Sequence, residues 1–250
     1  MTSDIVRGDE LIERIFTDGD DGQTSNDLLK EMFDGYPVEK LIPLLRSDDD
    51  EIAKAGAFIA EELAAKAAPL MSDLTRLLGH RNRSVRYDIL NAVLLATTPN
   101  DGEVIAQALT LIHDPERIVR SNALDFLVCA DREQLVAGLP HVADRNIAAG
   151  LGWLLDAEES PSDDGYVEIE SRIDDNDRLV RWFAAVAATR ISRRKLDPLN
   201  PDSLNLGPLN HAAESSDEEL QEFAARQQRA LPEELERLQR RLQRARNRKQ

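Results

Sequence analysis

A turn flanked by two amphipathic helices, returning every 32 to 34 residues, constrains this chain more than any other feature. Leu109 to Ala130 shows the unit. An apolar helix ends at Leu111-Ile112, the chain breaks at His113-Asp114-Pro115, and a second helix carries Val119, Ala123, Leu124 and Leu127 on one face. Leu74 to Leu95 and Leu41 to Leu63 repeat the pattern upstream, and Ile169 to Ile191 repeats it downstream. A basic residue near the start of each second helix marks the register: Lys54, Arg86, Arg120 and Arg181, spaced by 32, 34 and 61 residues. The last interval is about two periods, so a degenerate unit is predicted between, and Leu135 to Leu155 supplies it with Ala148 in the basic slot. One such pair cannot bury its apolar face alone, so the pattern demands stacking of five helical pairs.

Asp114 with Val119-Arg120, Asp174 or Asp175 with Val180-Arg181, and more loosely Asp50 with Lys54 give the chain a likeness to a known family. It resembles the HEAT-repeat arrays over residues 35 to 195, departing at Asn82, which replaces the turn Asp, and at Ala148. The resemblance implies an all-α fold, a HEAT-like right-handed alpha-solenoid, with second helices lining a concave face and an Asp-Arg ladder fixing the stacking. Lys54, Arg86, Arg120 and Arg181 are then scaffold residues. A fold of this kind hosts many functions, so function has to be argued from the residues it presents.

The ends of the chain read differently. Residues 1–34 form an acidic N-terminal capping segment, with a short helix over 8–16, a polar loop over 17–26 and a second helix capped by Asp27. Residues 35–196 are the array, punctuated by Pro69, Pro99, Pro115, Pro140 and Pro161. Residues 197–214, rich in Pro and Asn, read as a linker. Residues 215–250 are a C-terminal helical segment opened by a capping box at Ser216 to Glu219, with Pro232 in the first turn of a separate helix. Leu231, Leu235, Leu238 and Leu242 form a short seam there, and residues 237–250 carry seven Arg or Lys and no acid.

Net charge is −16, and residues 1–50 alone hold fourteen Asp and Glu against five Lys and Arg. Such a field opposes nucleic acid and anionic membranes and favours a basic protein partner; nucleic acid is left only to the basic tail. No signal-peptide pattern and no apolar run of spanning length is present, and the single cysteine, Cys129, allows no intrachain disulfide, which predicts a soluble cytoplasmic protein. Phosphate-binding glycine loops and the GxSxG elbow are absent. An EF-hand beginning at Asp18 fails because Gly22, Gln23 and Leu29 stand where a ligand, Gly and Glu are required. The four histidines are unpaired at helical spacing, so no metal or cofactor is expected.

Helical spacing selects the outward positions of the second helices as one, two and five residues after each marker. They are Ala55, Gly56 and Ile59; Tyr87, Asp88 and Asn91; Ser121, Asn122 and Asp125; Ala149, Gly150 and Trp153; and Trp182, Phe183 and Val186. Tyr87, Asp88, Asn91, Asn122, Asp125, Trp153, Trp182 and Phe183 are the candidate contacts, unless Trp153, Trp182 and Phe183 pack beneath the C-terminal helices. The reading is a non-enzymatic binding module, in its most concrete form an acidic inhibitor, immunity-type protein or adaptor. The alternatives are an enzyme of the lyase or glycosylase type on the same scaffold, or an adaptor dimerising through the C-terminal leucine seam.

Overall fold

A computed structural model describes residues 2–159, 163–201 and 204–247, all of them helix, turn or loop with no strand; the turn expected at Pro161 lies outside them. The chain divides into two compact units, Met1–Ala143 and Asp144–Gln250. The division falls inside the fourth helical pair of the expected array.

The first unit opens on the hairpin of α1 (Thr2–Asp18) and α2 (Gln23–Phe33). The expected cap at Asp27 is not used, because α2 starts earlier. Asp21 accepts from the Thr24 N–H at 2.8 Å and Asp20 from the Ser25 N–H at 3.1 Å, so these two carboxylates satisfy the exposed amides of the first turn. Three pairs follow. Their first helices are α3 (Ile42–Leu45), α5 (Met71–Leu77) and α7 (Gly102–Leu109), each extended by a 3₁₀ turn, and their second helices are α4 (Asp50–Leu63), α6 (Arg83–Ala96) and α8 (Arg117–Cys129). A further first helix, α9 (Arg132–Gly138), closes the unit. Second helices pack on second helices, α4 on α6 and α6 on α8, and α7 packs on α9 in the other row. Between the rows lies a core of small and aliphatic side chains, including Leu44, Ala57, Leu74, Ile89, Ile105 and Leu127.

The second unit holds α10 (Arg145–Glu159), α11 (Asp163–Ile173), α12 (Arg178–Arg194), α13 (Gly207–Ala213) and α14 (Glu218–Asn247). Here α12 packs against α10, α11, α13 and α14. The stretch 207–213 was expected in a linker. It is a helix because Pro208 occupies the first turn, where a missing N–H costs nothing, and it buries Leu209 and Ala212. The cap of α14 is Asp217 rather than Ser216, accepting from Glu219 and Leu220, and α14 runs through Pro232 without a break.

The arginine markers use one geometry three times. Arg86 Nη1 donates to the carbonyls of His80 and Arg81, Arg120 Nη1 to those of Asp114 and Pro115, and Arg181 Nη1 to those of Asp175 and Asn176. The offsets are six and five residues each time, so each guanidinium ties the start of a second helix to its own turn. Arg86 also grips Asp114 of the next pair bidentately at 2.6 and 2.8 Å. Arg181 reaches Asp217 of the following helical pair through Nη2 alone, at 3.0 Å, so α13 and α14 continue the stack as another pair. Lys54 departs from the ladder and donates to Glu51, 3.3 Å away on its own helix. The caps explain why: Asp49 and Asn82, 33 residues apart, open α4 and α6, so the counterpart of Arg86 is Ala53 and Lys54 stands with Tyr87.

Candidate second-helix binding face

That one-residue shift decides which side chains α4 presents. Ala55, Gly56 and Ile59, expected to face outward, are buried, and the stripe that remains open is Glu51, Lys54, Phe58 and Glu61. Gly56 faces its own first helix, and a Cβ there would stand 3.0 Å from Leu44 Cβ and 3.1 Å from the Leu45 nitrogen. On α6, Tyr87, Asp88 and Asn91 are partly exposed as expected. On α8, Asp125 and Ser121 are partly exposed, but Asn122 is buried. Its side chain donates to the Tyr87 carbonyl at 3.0 Å, which makes it a spacer between α6 and α8 rather than a contact residue. Ile118, not singled out by spacing, is 54% exposed.

Asp88 sits on the ridge between two depressions. One, of about 340 Å³, is bounded by Asp20 and Asn26 from the first hairpin with Glu51, Lys54 and Phe58 of α4. The other, of about 360 Å³, lies among Arg83, Ser84, Tyr87 and Ile118. Behind the ridge, Asp88 stands against Glu61 of the neighbouring helix, and Asn91 Nδ2 donates to Glu61 Oε1 at 2.8 Å. Burial pushes the Asp88 carboxyl up to about 7, the Glu61 charge adds to this, and Lys54 opposes it. Burial also raises Glu61, while the bonds from Asn91 and Asp88 act against that rise. Both carboxyls therefore hold a proton more readily than isolated ones do. Near neutral pH the face holds an acidic pair that a cation of suitable shape would stabilise in its doubly ionised form.

Because the folded Asp88 titrates above its ordinary value of 3.8, its contribution to stability is complete below about pH 4 and is lost as pH rises through 7. Discounted for its partial exposure, that loss is about 1–2 kcal/mol. The substitution Asp88→Asn is expected to remove this part of the pH dependence and to raise the urea midpoint at pH 8. Unfolding curves at pH 5 and pH 8 with the same difference in both proteins would show that Asp88 carries no such strain.

In the second unit the aromatic end of the predicted column is mostly core. Trp182 and Phe183 are each 1% exposed, correcting their assignment as contacts, and Val186, expected to face outward, is buried too, because α12 is enclosed by the four helices around it. Phe183 fills the space left by Gly150, where a Cβ would stand 2.2 Å from Phe183 Cδ2. Trp153 remains partly open beside a depression of about 220 Å³. Its Nε1 donates to Glu168 at 2.8 Å, and the Arg172 guanidinium lies 4.3 Å from its ring centroid. The structure thus keeps Tyr87, Asp88, Asn91 and Asp125 on one face of the first unit and leaves Trp153 in the second. Sequence reasoning missed Glu61, Phe58 and Ile118; counting from the helix caps Asp49 and Asn82, rather than from the basic markers, exposes Phe58. The leucine seam is also divided, since Leu231 and Leu235 are buried within the second unit.

No family model matches this chain, and no curated protein matches it. Solved structures do show likeness. A designed armadillo repeat protein is 15% identical over 89% of this chain and 98% of its own, with a TM-score of 0.47. Two engineered proteins from the Northeast Structural Genomics Consortium are 17% and 19% identical, with TM-scores of 0.47 and 0.41; they cover 90% and 78% of this chain and 68% and 96% of their own. At that level the fold rests on the helices themselves: an all-helical α-solenoid arrangement in which pairs stack on pairs within each unit. Among the described residues, no helix is long and apolar enough to cross a membrane, and no cluster of three or more His, Cys, Asp or Glu could hold a metal ion.

Proposed function

We propose that this protein is a non-enzymatic binding scaffold that holds a basic segment of a protein partner on the second-helix face of its first unit. The observation that carries the reading is the half-buried Asp88 carboxyl, raised to about 7 beside Glu61 on an open face where Phe58, Tyr87 and Ile118 supply apolar contact. An incoming guanidinium or ammonium draws the proton off Asp88 and converts an acidic pair that is unfavourable in the free protein into a charge-assisted contact. Hydrophobic residues beside that contact exclude water and set orientation. If the partner's basic surface is its working surface, covering it is inhibition of the immunity type; otherwise the role is that of an adaptor. The single cysteine suits a cytoplasmic place of action.

The test uses a synthetic amphipathic peptide of about 15 residues built from Leu and Arg, long enough for a marginally stable helix. Its affinity for the full chain is expected to fall about tenfold or more with Asp88→Lys, equivalent to at least about 1.4 kcal/mol. Glu103→Lys, an acid-to-lysine change at an exposed position on α7, is expected to leave it nearly unchanged. Equal losses in both variants would mean that only the general acidic field attracts the peptide, and the assignment of the face would fail.

A further inference from the structure

The described part of α14 ends in a segment that its own unit does not use. Buried positions along the helix stop at Leu235, while Leu238 and Leu242 stay partly open one turn apart on a single face. Arg237 and Arg240 pair with Glu233 and Glu236 on the same helix. Arg241, Arg244 and Arg246 have no carboxylate within ion-pair distance among the described residues, and each is exposed. Packing of residues 220 to 235 holds the helix in register, so its basic end is already shaped for docking and gives up little conformational freedom on binding. The helix continues over residues 236–247, which at about 1.5 Å per residue makes a rod of about 18 Å. Three neighbouring second helices at 8–10 Å spacing offer a face of about the same breadth.

We propose that this basic end docks on the α4–α6–α8 face of a second copy of the chain, joining molecules head to tail. The proposal rests on the binding face described above and names its partner. Leu238 and Leu242 meet Phe58, Tyr87 and Ile118, while Arg241 and Arg244 meet Glu51 and the Glu61–Asp88 pair. Charge favours this arrangement: tail against tail sets arginines against arginines, whereas tail against face brings Arg241 and Arg244 to Glu51 and the Glu61–Asp88 pair. The complementary contact is the heterologous one of tail on face, so association grows with concentration.

The experiment is sedimentation equilibrium of the full chain at low salt from about 1 to about 200 µM, a range that brackets micromolar contacts. The weight-average mass of the wild type is expected to climb above the 28.0 kDa monomer as concentration rises. Arg241→Glu/Arg244→Glu, with a dead tail, and Asp88→Lys, with a dead face, are each expected to weaken association by tenfold or more. Ile118→Lys provides a second face variant at an exposed position. A mixture of tail and face variants keeps one working half in each molecule and is expected to give a 1:1 complex that grows no further. The proposal is overturned by a wild type that stays at 28.0 kDa throughout, by association that survives both face variants, or by a mixture that fails to pair. A monomeric wild type that still binds the Leu/Arg peptide through Asp88 refutes self-docking alone; loss of the contrast between Asp88→Lys and Glu103→Lys refutes the binding face itself.

Discussion

Arg86→Ala is expected to cost about 3–5 kcal/mol, among the largest losses from a single substitution in the first unit. The side chains of Arg86 and Asp114 are 9% and 3% exposed, and the guanidinium satisfies both carboxylate oxygens and two turn carbonyls. Truncation leaves Asp114 buried without its countercharge and two carbonyls without their donor. Lysine cannot replace it, because one ammonium cannot reproduce the planar fork that spans two helical pairs. The comparison is Arg46, which makes a similar pair with Asp73 but is 61% exposed, so Arg46→Ala is expected to cost less than half as much. Urea unfolding of the full chain measures both, and similar small losses would show that the buried contact does not lock the stack.

Trp182→Ala is expected to destabilise the second unit by about 3–5 kcal/mol, the usual cost of emptying an aromatic site in a core. The ring is 1% exposed beneath Arg178, whose guanidinium lies 4.2 Å from its centroid, and Phe183 beside it is wedged against Gly150. Peptide affinity at the face of the first unit should not move. A variant that kept its stability but lost the peptide would return Trp182 to the list of contacts and contradict the core assignment.

Much of the fold was legible because each repeat carries its own local chemistry. Asp49, Asn82, Asp144 and Asp177 cap second helices within one or two residues of where period and turn residues put them. The arginines at 86, 120 and 181 tie to their own turns with fixed offsets, so their role as scaffold could be read from recurrence. The first pair misled because Lys54 imitates the marker one residue late. A one-residue error turns an α-helix by about 100°, which put Gly56 and Ile59 in the place of Lys54 and Phe58.

The C-terminal half failed for a different reason. Its helical pair of α13 and α14 has a first helix of only seven residues, hidden among Pro and Asn, and an interior proline in the second. Without that pair α12 looks like an outer helix with exposed Trp182 and Phe183. With it, α12 is the centre of its unit. Glu61 was out of reach because its meeting with Asp88 depends on how α4 and α6 lie against each other, a tertiary fact that no spacing within either helix contains.

The binding face is tested most directly by amide hydrogen exchange of the full chain with and without the Leu/Arg peptide. The account predicts added protection in α4 and α6, centred on Glu51–Glu61 and Ser84–Asn91, and its disappearance in Asp88→Lys. Protection confined to α10–α12 around Trp153, or spread evenly over the acidic surface and unaffected by Asp88→Lys, would contradict it.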